Sequence, residues 1–169
     1  MTVPYAVVLG GNIMRRKDRE ITDESKIEEI MSKCHCCRLG LNDNGEVYIV
    51  PLNFGFIKEE GKYSLFFHGA KEGRKIDIIK KNNFVGFEMD RNYELVTGDI
   101  ACNYSALYQS IIGKGTVYFV EDNEEKIKGL SAIMKQTTGE SEWEFSDKML
   151  DAVAVLKVEV EELSCKEHL

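Results

Sequence analysis

The sequence predicts a mainly β protein: a small antiparallel barrel with helices packed outside. Three observations predict it. Short apolar runs are joined by strong turn sequences, Asn42-Asp43-Asn44-Gly45 and Glu59-Glu60-Gly61-Lys62, which favour hairpins and so antiparallel pairing. Residues 108–120 form a long alternating run interrupted by Gly113 and Gly115, as in strands that bend around a barrel. Two segments, 22–34 and 122–135, carry apolar residues at helical spacing.

The elements follow in order. Residues 22–34 read as an amphipathic helix with Ile27, Ile30, Met31 and Cys34 on one stripe. Ser25 and Glu28 have capping-box spacing, and Thr22 or Asp23 serves equally as the cap. Residues 36–41 and 47–56 form a hairpin. Pro51 inside its second strand cannot donate to a ladder, so it marks an edge, a bulge or a face turned to a ligand. A third strand covers 63–68, a short helix 74–81 and a fourth strand 84–89. The long strand 108–120 leads to the second amphipathic helix, with Ile127, Leu130, Ile133 and Met134 on one side. A short helix at 146–151 and a closing strand at 152–160 complete the chain. Residues 1–20 are expected as an N-terminal extension, 21–163 as the barrel domain and 164–169 as a tail. Met14 opens a basic run and is an alternative start, and the Gly10-Gly11 pair is too common to mark a phosphate loop.

Composition narrows the function classes. The chain has 169 residues, 43% hydrophobic and 30% charged, which is the profile of one globular domain. Its net charge of −7 makes it a poor general binder of nucleic acid, and no apolar run has the length of a membrane-spanning helix. Five cysteines without a basic, apolar leader point to reduced thiols in a cytoplasm. Cys34-His35-Cys36-Cys37 tempts a metal reading, but adjacent strand residues face opposite ways and no second Cys/His cluster exists, so no metal is expected. Cys102 has nothing nearby in sequence to activate it, and Trp143 and Phe145 read as anchors of a surface loop.

The most informative stretch is Phe67-His68-Gly69-Ala70-Lys71-Glu72-Gly73-Arg74-Lys75. A strand ends, two glycines permit close backbone approach, and a helix opens on two cations. Free amides and the positive dipole end suit an anion there, whereas Arg74 and Lys75 are locally unfavourable without one. A solvated basic turn is the alternative.

The blocks His68-Gly69-Ala70, Gly73-Arg74-Lys75-Ile76-Asp77 and Asn82-Asn83-Phe84-Val85 resemble the signature of the FMN-binding split-barrel flavoproteins, the pyridoxine 5'-phosphate oxidase-like superfamily. Val50-Pro51-Leu52-Asn53-Phe54-Gly55 and residues 108–115 resemble its nitroimidazole-reductase (5-nitroimidazole-resistance) branch. The resemblance implies a split antiparallel β-barrel with flanking helices, active as a homodimer with FMN sites at the interface. It implies that Arg74 and Lys75 grip the FMN phosphate beside Gly69. Val50, Pro51, Leu52, Asn53 and Phe54 would lie along the isoalloxazine, and Ser110 would reach the flavin. His68 would contact cofactor or substrate and serve as the catalytic proton donor; the alternative is a strand-end histidine bonded to backbone or water. The activity implied is reduction of a small electron-poor acceptor such as a nitroimidazole, with NADH or NADPH as donor. An FMN-binding redox or stress sensor is the rival reading, and haem or a deazaflavin the rival cofactors. Authentic pyridoxine-phosphate oxidases bind substrate phosphate through a C-terminal arginine- and histidine-containing segment. Residues 161–169 here contain no arginine, which leaves oxidation of pyridoxamine 5'-phosphate as the less favoured alternative.

Overall fold

The computed structural model describes the backbone of Val8–Leu9 and residues 15–169; Gly10-Gly11 and Met14 lie outside the described residues. Two short strands, β1 (Val8–Leu9) and β2 (Glu20–Ile21), precede helix α1 (Glu24–Ser32). Strands β3 (Cys37–Asp43), β4 (Glu46–Leu52), β5 (Gly55–Glu59) and β6 (Lys62–Gly69) lead to helix α2 (Arg74–Lys81). Then come β7 (Phe84–Val96), β8 (Ser105–Phe119), α3 (Asn123–Thr138), α4 (Asp147–Ala152) and β9 (Ala154–His168).

The main sheet runs β4-β3-β7-β8-β9-β6-β5, all antiparallel, and β1 and β2 add to β9. Flat, that seven-strand path would be about 29 Å wide. Yet its two end strands, β4 and β5, are joined only by Asn53 and Phe54, a link reaching about 11 Å at most. The sheet must therefore curl until its margins approach, and since β4 and β5 do not pair, the barrel is split.

Both hairpin turns form as expected. Asn44 (φ 54°) with Gly45 (φ 96°), and Glu60 (φ 50°) with Gly61 (φ 76°), take the paired positive φ values that tight hairpins of twisted strands require. Asp23 is the cap of α1, accepting from the Ser25 amide. α2 spans the expected residues and buries Ile76, Ile78 and Ile79.

Other expectations are corrected. The strand expected over 47–56 is two strands, because Phe54 turns fully into the core beside Phe67, its ring centroid 6.5 Å away, while Asn53 stays exposed. The closing strand does not stop at residue 160 but runs to His168, so residues 164–168, expected as a tail, lie in the sheet. A bulge explains the misreading. Gly115 faces Val160 while Lys114 faces Glu162, and the extra residue reverses the phase: Val158 and Val160 point inward, then Leu163 and Cys165 do. At the strand's end Arg19 Nη2 donates to His168 Nε2 at 3.1 Å, so the ring proton sits on Nδ1, which donates to the Ala106 carbonyl at 2.7 Å.

The stripe of α3 is also rotated from expectation. Ile127 is exposed, and Lys126, Gly129, Leu130 and Ile133 are the buried set. The sheet dictates this. Gly129 is buried because the Phe66 ring occupies the space a side chain would need, 2.4 Å from a built Cβ. On the facing strand a Cβ on Gly55 would lie 2.2 Å from the Ala132 carbonyl carbon, so the backbones of β5 and α3 touch there. Gly55→Ala is expected to lower stability by about 1–3 kcal/mol, as overpacking against immovable backbone does; a urea midpoint equal to the parent's would show that α3 does not seat so closely.

Candidate functional site

The site is assembled where β6 ends and α2 begins. β6 is buried on both faces over Leu65–Phe67, Phe67 in the main core and Phe66 in the cluster under α3, whereas His68 beyond them is exposed, with its backbone paired to Val155. Gly69 pairs with Ala154 and ends the strand. The Lys75 ammonium folds back over it: a Cβ on Gly69 would lie 2.9 Å from Lys75 Nζ and 3.1 Å from Cε. Gly69 thus leaves room for a cation above the strand end.

Gly73 caps α2 with φ 121° and ψ 169°, a conformation that favours glycine, and offers no side-chain cap. Its carbonyl accepts from the amides of Ile76 (2.9 Å) and Asp77 (3.1 Å), leaving those of Arg74 and Lys75 without an intrahelical acceptor. Two free amides, an ammonium and a guanidinium therefore gather at the positive end of one helix, the donor set that suits a phosphate dianion.

Arg74 reaches away from Gly69 toward β4. Its guanidinium lies 4.7 Å from the Tyr48 ring centroid and 3.4 Å and 3.3 Å from carboxylate oxygens of Asp43 and Glu46. These three partners were not read from the sequence. They come from the β3–β4 hairpin, and only the packing of α2 against it brings them together; the inward phase of Tyr48 on β4 was the one available signal. With its side chain half exposed, Arg74 is held loosely by these pairs.

β4 is an edge strand, one of the three readings that Pro51 left open. It pairs only with β3, Pro51 opposite Arg38, and its other margin faces the split. Val50 and Leu52 pack inward against the core, Pro51 and Asn53 are exposed, and Phe54 is buried. Of the five residues expected along the ring system, the unpaired main chain and the exposed side chains are thus what a ligand would meet.

Ser110 is not brought to this cluster. It sits half-buried on β8 between Asp90 and Lys166, and from Lys166 back to Val155, the neighbour of His68, β9 runs eleven residues. At the rise of a strand that separates Ser110 and His68 by on the order of 30 Å within one chain.

The residues present fit a flavin mononucleotide: glycine where a cation closes down, free amides at a helix start, and an open strand margin beside them. A model of the pyridoxamine 5'-phosphate oxidase family matches residues 23–167. The chain belongs to that family. Among solved structures it is similar to a candidate 5-nitroimidazole antibiotic resistance protein from Bacteroides thetaiotaomicron, with 34% identity, 87% of this chain and 85% of that one covered, and a TM-score of 0.75. Two more distant relatives share the fold. The flavocytochrome Anf3 from Azotobacter vinelandii is 20% identical, over 94% of this chain and 73% of that one, with a TM-score of 0.75. An FAD- and heme-binding protein from Mycobacterium smegmatis is 17% identical, over 88% and 73%, with a TM-score of 0.74. No curated protein matches the chain. The split antiparallel barrel with flanking helices is the fold that this family implied.

All five cysteines are free, and no group of potential metal ligands occurs among the described residues. No helix among them is long and apolar enough to cross a membrane. Burial pushes the Cys34 thiol up to about 11 and Cys165 up to about 12, and raises Cys37 further. These three are protonated, hence unreactive, near neutral pH, whereas Cys102 is exposed. A thiol-disulfide reagent at pH 7.5 is expected to modify Cys102 readily and to reach Cys34, Cys37 and Cys165 only in denaturant; prompt labelling of Cys37 in the native protein would contradict the packing.

Proposed function

We propose that the chain is a flavoprotein oxidoreductase that holds FMN in the split and passes electrons to a small electron-poor acceptor such as a nitroimidazole. The observation that carries this reading is the pairing of the Lys75 ammonium with Gly69 at the free-amide end of α2, in a chain 34% identical to the Bacteroides protein. In this reading the relevant compartment is the cytoplasm, in keeping with five free cysteines, and NADH or NADPH is the donor.

FMN, when bound, supplies reversible hydride and single-electron chemistry. The chain's own groups do the rest. Lys75, Arg74 and the α2 amides hold the phosphate, and Arg74 exchanges its loose contacts with Asp43 and Glu46 for that anion. The open margin of β4 from Val50 to Asn53 offers main-chain donors and acceptors to a ring edge, and buried Phe54 stiffens its end. His68, exposed at the end of β6, holds a proton at its imidazole and delivers it to the acceptor.

Ser110 enters through a second copy of the chain. Ile112, on the same strand as Ser110, and Val47, Ile49 and Pro51 on the edge strand β4 are exposed, separated across the sheet by the ion-paired Arg38, Glu88 and Asp90, a mixed apolar and charged face that a subunit contact can cover. A homodimer with its sites at the interface brings Ser110 of one subunit to His68 of the other.

The purified protein is expected to be yellow and to release FMN on denaturation. Arg74→Ala and Lys75→Ala are each expected to weaken FMN affinity about tenfold or more, one charge-assisted contact being worth roughly 1.5–3 kcal/mol, with little change in melting temperature. Unchanged affinity in both variants, measured by flavin fluorescence, overturns the site. Anaerobic NADH or NADPH is expected to bleach the flavin, and a nitroimidazole to restore its colour. His68→Ala is expected to keep FMN but slow the restoration. A flavin that no donor reduces would assign a sensing role instead.

A further inference from the structure

A second feature of α3 has no part in that reading. The buried stripe of the helix runs Lys126, Gly129, Leu130, Ile133, so a lysine occupies a position where burial calls for an apolar residue. Lys126 is 9% exposed and forms no ion pair and no side-chain hydrogen bond among the described residues. Its Nζ is not sealed off, since the one fully buried, unpartnered side-chain polar atom there is Arg19 Nε. Lys126 is one of the residues that line an adjoining cavity.

That cavity, of about 300 Å³, lies between α2, α3 and the adjoining ends of β8 and β9. Its walls are apolar: Ile76, Phe119, Val120 and Val155. Its charged groups are Lys71, Lys80 and Lys126 against Glu121 alone. Like charges gathered around one cavity repel one another, and Lys126 also sits near the start of α3, where the helix dipole adds positive potential. An anion in the cavity relieves both. The place adjoins the α2 end described above, sharing Lys71 of the Gly69–Gly73 loop and the strand partners Ala154 and Val155, but neither Arg74 nor Lys75 lines it. At 100° per residue, Ile76 and Lys80 project from the side of α2 roughly opposite to Arg74 and Ile78, which face the β3–β4 turn.

We infer that this cavity is a second anion-binding site, for a small organic anion whose phosphate or carboxylate meets Lys126 and Lys80 while a compact apolar body packs on Phe119, Val120 and Ile76. The volume is at the lower end of small-molecule sites, which limits the body to about one ring.

The test uses phenyl phosphate and benzoate as probes, titrated calorimetrically into the full chain and into the Arg74→Ala/Lys75→Ala double variant. Saturable binding at one site per chain is expected in both proteins, by at least one probe. Inorganic phosphate alone should bind at least tenfold more weakly than phenyl phosphate. Lys126→Met keeps the apolar stem and removes the charge; it is expected to weaken binding at least tenfold. Lys80→Ser, at an exposed position, provides the same comparison if Lys126→Met does not fold, with an expected loss of at least threefold. Binding that survives these substitutions, or that vanishes in the Arg74/Lys75 double variant, overturns the inference, as does the absence of saturable binding by either organic probe.

Discussion

The link Asn53-Phe54 is the constraint on which the rest of the molecule depends. It ties together strands at opposite ends of the sheet path, and so forces the curl that encloses the core. Because the margins it draws together do not pair, the same link leaves β4 with an open flank. Core and candidate site are two outcomes of one geometric demand. Phe54 anchors the arrangement from within by committing its ring to the interior beside Phe67. Gly55 then lets β5 pass directly against the backbone of α3. Closure, core packing and helix seating are thus set within three consecutive residues.

Electrostatics at the candidate site run against the character of the whole chain. The protein carries a net charge of −7, yet cations collect at the start of α2, where a helix dipole opposes them. Arg74 is partly neutralised by Asp43 and Glu46, whereas Lys75 lies against bare backbone at Gly69. The two cations are therefore not equivalent. One is parked on exchangeable carboxylates and stacked on Tyr48; the other is poised over the strand end by the missing side chain of a glycine.

The parts of the fold that were legible in sequence are those set by local chemistry. Asn44-Gly45 and Gly61 announced their turns because few other residues tolerate the left-handed backbone they need, whereas Glu60 takes it without such a preference. The span of α2 followed from Gly73 and the spacing of Ile76 and Ile79. What was not legible depends on long-range contact. The strand β7 continues to Val96 through Asp90, Arg91, Asn92 and Glu94, a polar stretch with no strand pattern, because β8 pairs with it. The bulge opposite Gly115 reverses the alternation of β9, so a period-two reading ends near Val160 although the strand does not. The stripe of α3 was misplaced because its packing partner, the Phe66 ring, selects a glycine that hydropathy cannot recognise as buried. For the site, the phosphate-type cluster was readable from Gly69, Gly73, Arg74 and Lys75, since they are close in sequence. The roles of Asp43, Glu46 and Tyr48, and the remoteness of Ser110, follow from strand order and register alone.

The proline of β4 has a bearing on how this protein survives at high concentration. Its flank combines open main-chain groups with Val47 and Ile49, which are 72% and 62% exposed, the ingredients from which stacked intermolecular sheets grow. Pro51 deletes one amide from that row, and Glu46 sets a charge at its start. The missing amide that leaves the flank short of a donor also makes it a poorer template for a further strand.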